Sequence, residues 1–122
     1  MANTFKVVSH DVMPASSGTP EDLYTTPSST TTIVLGMVLA NVHTSQVTVS
    51  VKLVSDTSGG GRAATNTTTF LLKDAPIPVG GALELIDGGS KIILQTGDKL
   101  RAKSSVTNSL DVVVSAVDTI SE

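Results

Sequence analysis

His10 and His43 are the only imidazoles in the chain, and there is no cysteine. They fall in different elements without a His-x-x-x-His or Glu-x-x-His spacing, so a zinc ion would lack its further ligands. Both read as surface or turn histidines. Serines and aspartates are plentiful, but no Gly-x-Ser-x-Gly elbow presents a nucleophile. Gly59-Gly60-Gly61-Arg62 has the glycines of a phosphate loop without the Gly-Lys-Ser/Thr ending or a following helix. Glu84 and Asp87 could pair for glycoside hydrolysis. They flank a turn, however, with no aromatic subsites, and read as solvated charges. Lys99, Arg101 and Lys103 alternate along a strand, which sets them on one face about 6–7 Å apart. Such a stripe is either a wet sheet face or a surface that pairs with acidic residues of a neighbouring subunit. No aromatic residue interleaves with it in sequence, which weakens a nucleic-acid reading. The residues therefore predict no catalytic group, no cofactor and no metal site.

The elements that position these residues are strands. Val47, Val49, Val51 and Leu53 alternate with Gln46, Thr48, Ser50 and Lys52, the mark of a strand with one wet face. Leu100, Ala102 and Ser104 alternate with the basic stripe. Leu110, Val112, Val114 and Ala116 form a third set. Shorter runs at 5–12, 23–26, 67–72, 82–86 and 91–95 favour strand residues. Thr30 to Ala40 is apolar on both sides of the pleat, as a central strand should be. Turns are signalled at 14–20, 27–29, 87–89 and 96–98, and 76–81 reads as a stiff crossing followed by a tight turn. The residues from Ser55 to Asn66, with three glycines, read as a long mobile hairpin tip. No stretch carries a helical stripe. The expectation is a single all-β domain over 1–122, an antiparallel β-sandwich or jelly roll of about 7–8 short strands. A closed barrel is the second choice. Residues 1–21 are expected as an N-terminal segment that could anchor an assembly, and 22–120 as the sandwich core.

Composition narrows the function. The 122 residues are 39% hydrophobic, 16% charged and 2% aromatic, with net charge −3. That gives no general electrostatic pull towards nucleic acid and few stacking surfaces for sugars. The start of the chain has no basic region followed by an apolar run. No apolar stretch approaches the roughly 20 residues of a membrane helix. Apolar content is high for so small a chain, and in two strands it falls on both faces. Val34, Met37 and Leu39 lie on the face away from Ile33, Leu35 and Val38. Val113 and Val117 lie away from Val112 and Val114. Left uncovered, these side chains would make an unusually large patch. Val34, Met37, Leu39, Val113 and Val117, with Lys99, Arg101 and Lys103, are therefore the candidate interface of a homo-oligomer.

One resemblance spans residues 22 to 120. It runs through Tyr24-Thr25-Thr26-Pro27 and Thr31-Thr32-Ile33-Val34-Leu35-Gly36-Met37-Val38-Leu39-Ala40-Asn41. It continues with Leu71-Leu72-Lys73-Asp74-Ala75-Pro76-Ile77-Pro78-Val79-Gly80-Gly81, Leu83-Glu84-Leu85 and Leu94-Gln95-Thr96-Gly97-Asp98-Lys99-Leu100, and ends in a Val-rich strand. In this order the chain resembles small bacteriophage virion proteins of the head-decoration, fibre or neck type. The segment from Ser55 to Thr65 departs from that pattern. The resemblance implies a β-sandwich that self-assembles, as a trimer, and attaches to the particle without enzyme activity. The expected partners are copies of the chain and the major capsid protein or other virion proteins, without nucleic acid or membrane. The expected location is the virion, assembled in the host cytoplasm. Capsid decoration leads; a neck, baseplate or tail-fibre component and a host-surface carbohydrate-binding module are the alternatives.

Overall fold

A computed structural model describes residues 2–55, 67–86 and 91–120. The expected loop tip at 56–66 and the turn at 87–90, with Asp87, lie outside the described residues. Among the described residues nine strands follow one another: β1 (Ala2–Met13), β2 (Glu21–Thr25), β3 (Thr30–Asn41), β4 (Val47–Ser55), β5 (Thr67–Ile77), β6 (Ala82–Ile86), β7 (Ile92–Leu94), β8 (Lys99–Ser104) and β9 (Leu110–Ile120). Sheet A has the order β1-β9-β3-β6, with β7 also paired to β3; sheet B has the order β2-β8-β4-β5. All pairings are antiparallel. The two sheets close over one apolar core, as two half-apolar layers must.

The core is built as the alternation requires. Val47, Val49 and Val51 of β4, Leu100 of β8, and Leu110, Val112 and Val114 of β9 are fully buried, while Leu53, Leu83 and Leu85 are half-buried against them. The strand set over 30–40 holds a surprise. A register shift between Val34 and Gly36 places one extra residue in β3, and a bulge reverses which parity faces inward. Thr32 and Val34 point to the core before it, Met37 and Leu39 after it.

β1 also differs from expectation. The strand run expected at 5–12 extends further and pairs with β9 from Ala2 to Met13, so this part of the segment 1–21 joins the sandwich as an edge strand. Pro76 lies within β5, which is tolerated because β5 is the edge of sheet B and need not donate on both sides. The chain then reverses through Pro78–Gly81, where the Gly81 amide donates to the Pro78 carbonyl at 2.9 Å and Gly80 adopts φ 72°. Asn41 secures that corner from β3: its Nδ2 donates to the carbonyls of Ile77 and Ser45, both at 2.9 Å.

Candidate functional site

Three features of the sandwich could act on something outside it: a titratable cluster between the sheets, and the two outer faces. The cluster sits where β1, β2, β3 and β9 converge. Alternation turns Asp118 of β9 inward, where its carboxylate is almost wholly buried. Lys6 Nζ from β1 lies 2.6 Å from Asp118 Oδ2, the Tyr24 hydroxyl from β2 donates to the same oxygen, and Thr32 from β3 donates to Oδ1 at 2.6 Å. Thr26 in turn donates to Thr32 at 3.0 Å. Burial pushes the Asp118 carboxyl up, but the hydrogen bonds from Lys6, Thr32 and Tyr24, with the Lys6 charge, outweigh it and hold it below the usual carboxylate value. The bond to Asp118 and that to Tyr24 raise Lys6. Burial, reinforced by the bond to Asp118, raises Tyr24. Three donors engage the two oxygens of Asp118, and its side chain is closed to solvent. The cluster clamps β1, β2, β3 and β9 together.

The histidines are likewise structural in placement. His10 Nε2 donates to the Leu23 carbonyl at 2.8 Å, tying β1 to β2, and His43 sits in the turn after β3 with its amide bonded to the Asn41 side chain. Among the described residues no three His, Asp or Glu gather as a metal site.

The outer face of sheet B is basic. Lys99, Arg101 and Lys103 all point outward from β8, as the alternation requires, each beside a buried residue. Strand pairing brings Lys52 of β4 opposite Arg101 and Phe70 of β5 opposite Lys52. The Lys52 and Lys73 ammonium groups lie 5.1 and 5.3 Å from the Phe70 ring centre, within cation–π range. An aromatic residue does therefore stand among the cations, brought there by pairing rather than by sequence. Arg101 Nε donates to Asp22 of β2, and Lys99 Nζ is 4.0 Å from the other oxygen of Asp22. At one end lies a small pocket of about 120 Å³ lined by Thr48, Ser50, Asp74, Lys103, Ser104 and Ser105. Asp74 there adopts φ 49° and its amide donates to the Ser50 hydroxyl at 3.0 Å.

The outer face of sheet A is apolar. Phe5, Val117, Ile33 and Ile93 stand in register across four strands, with Val113 and Val38 opposite each other in a second row. Phe5 is 78% exposed, Val7 72%, Ile93 58%, Val113 43% and Val38 38%. Val117, between Phe5 and Ile33, is largely covered by its neighbours.

Of the residues expected at an interface, Val113 and Val117 do face outward. Val34, Met37 and Leu39 do not: all three are fully buried within the chain's own core and can meet no partner. They share a face only because the bulge between Val34 and Gly36 reverses the alternation, and β3, apolar on both sides, does not say in sequence which side the second sheet covers. The outward set is Ile33 and Val38. Lys99, Arg101 and Lys103 share a face too, but it belongs to the other sheet, so the single expected interface separates into two opposite surfaces. Lys52, Lys73 and Phe70 carry no signal linking them to β8, because the strand order β8-β4-β5 is not written in local sequence. No protein-family model, no curated protein and no solved structure matches the chain.

Proposed function

We propose that the chain is a non-enzymatic structural protein of a bacteriophage virion, a capsid decoration or cement protein that assembles as a homotrimer and bridges capsid subunits. The apolar outer face of sheet A carries the self-assembly. Its five exposed side chains leave on the order of 500 Å² of apolar surface open, the size of the largest patch on a typical monomer, which is often a functional one. A stable interface buries about 800 Å² per partner, about 60% of it apolar, so the patch supplies the apolar part of one such contact. Polar residues border it: Ser9 and Glu84 lie across from Val113 and Val38 in the same row.

The virion assignment rests on the resemblance over residues 22–120, and a shell gives such a protein many equivalent sites, so that weak contacts add up to avidity. A carbohydrate-binding role has less support. Tyr24 is committed to Asp118, and the Phe70 ring is already engaged by two lysines, which leaves Phe5 as the one uncommitted aromatic ring. The test is sedimentation of the chain with intact particles and its copy number. Hundreds of copies per particle are expected. A few or a dozen would move the protein to the neck, baseplate or fibre, and none would overturn the reading.

A further inference from the structure

We infer that the outer face of sheet B is a docking surface for an acidic protein segment, one that presents carboxylates at alternate positions of an extended strand. The inference stands apart from the virion reading, because the partner is defined by its chemistry. Five of the chain's eight cations gather here: Lys52, Lys73, Lys99, Arg101 and Lys103. Two carboxylates share the surface, Asp22 bound to Arg101 and Asp74 held beside Ser50. A chain with net charge −3 thus concentrates an excess of positive charge on one face. At physiological ionic strength charges are screened beyond about 8 Å, so a partner at contact range meets this face and not the chain's overall charge. The Lys52, Lys73 and Lys103 ammonium groups form no ion pair among the described residues.

Geometry favours carboxylates over phosphates. Cations at alternate positions of β8 repeat every 6–7 Å or so, the same spacing as alternate side chains of another extended strand. Phe70 is 41% exposed, but its ring is engaged by two ammonium groups and offers no open platform for a base, unlike the stacking surfaces of single-strand binders. Asp22 and Asp74 interrupt the cations, which a continuous phosphate run would meet as repulsion. Individual carboxylates can be placed between them.

The test uses the whole chain with a fluorescently labelled peptide of alternating glutamate and threonine, read by anisotropy. Saturable binding that weakens as salt rises is expected. The combined variant Lys52→Gln, Lys99→Gln, Lys103→Gln should bind about tenfold more weakly, the effect of three exposed charge pairs. Glu84→Gln, on the opposite face, should bind as the wild type does. These variants alter half-exposed or exposed side chains, and circular dichroism verifies their fold. Backbone amide shifts on peptide addition should cluster in β4, β5 and β8. The inference is overturned by absent binding at low salt, by a triple variant that binds unchanged, or by shifts clustered on sheet A. Tighter binding of an oligothymidylate of equal charge would overturn it too, in favour of nucleic acid.

Discussion

Side chains from three other strands converge on the Asp118 carboxylate, and its protonation state should set the acid limit of the fold. Its folded pKa lies below the ordinary 3.8, so its contribution is complete above that value and is lost as pH falls through the lowered one. Lys6 and Tyr24 are raised above 10.5 and 10.0 respectively. Their contributions are complete below those values and disappear as pH rises through the raised ones. Thermal melting should therefore be nearly flat from about pH 5 to pH 9 and fall on both sides. Asp118→Asn removes the charge but leaves Lys6 beside a buried amide. With Lys6 more than a third exposed, water takes up its charge, so the change should cost about 1–2 kcal/mol at neutral pH, chiefly through the lost hydrogen bonds, and flatten the acid limb of the melting profile. An Asp118→Asn profile parallel to the wild type in acid would assign that limb to other carboxylates. A second test lies in the core. Val112→Asp buries an unpaired charge between the sheets and should abolish folding, whereas Thr48→Asp, on the half-exposed side of β4, should melt within a few degrees of the wild type.

At the scale of the element, the alternation in β8 and β9 names the inward side chains, and in β4 it names Val47, Val49 and Val51 but not Ser50 and Val54, which are buried on the other parity where register shifts interrupt the strand. β3 shows where that logic stops. Flanked by β9 on one side and β6 and β7 on the other, it is apolar on both faces from Ile33 to Ala40, and its bulge between Val34 and Gly36 leaves no mark in the hydrophobic pattern. The direction of Val34, Met37 and Leu39 was fixed by the sheet packed over them, a long-range fact. The same holds for the basic face: the stripe on β8 was legible, but Phe70 and Lys52 join it only through pairing. Two glycines separate the local from the long-range requirement. Gly80 has φ 72° with open space around a Cβ, so Gly80→Ala should cost about 1 kcal/mol for backbone conformation alone. Gly36 is outside the left-handed region, and a Cβ there would meet the Ile86 carbonyl oxygen at an ordinary 3.5 Å. Gly36→Ala should be neutral or stabilise slightly by restricting the unfolded chain. Chemical denaturation of the two variants reads both effects, and equal losses would refute the distinction.

The whole molecule is a sandwich with unlike outer faces, apolar on sheet A and basic on sheet B. A two-layer domain can hide only the inner face of each sheet, so the apolar outer face is the feature that the isolated chain leaves unresolved. In the proposed assembly, burial against further copies would remove it from water and leave the basic face turned outward for a different partner. Ile93 and Val113 are exposed within the patch, and charges placed there would be carried into any contact between copies that covers it. The most direct measurement is light scattering on the purified chain at micromolar concentration, alongside the double variant Ile93→Lys, Val113→Lys. The wild type should have the mass of three chains, and the variant, still folded by circular dichroism, that of one. A wild-type mass of 12.5 kDa, a single chain, would contradict the account.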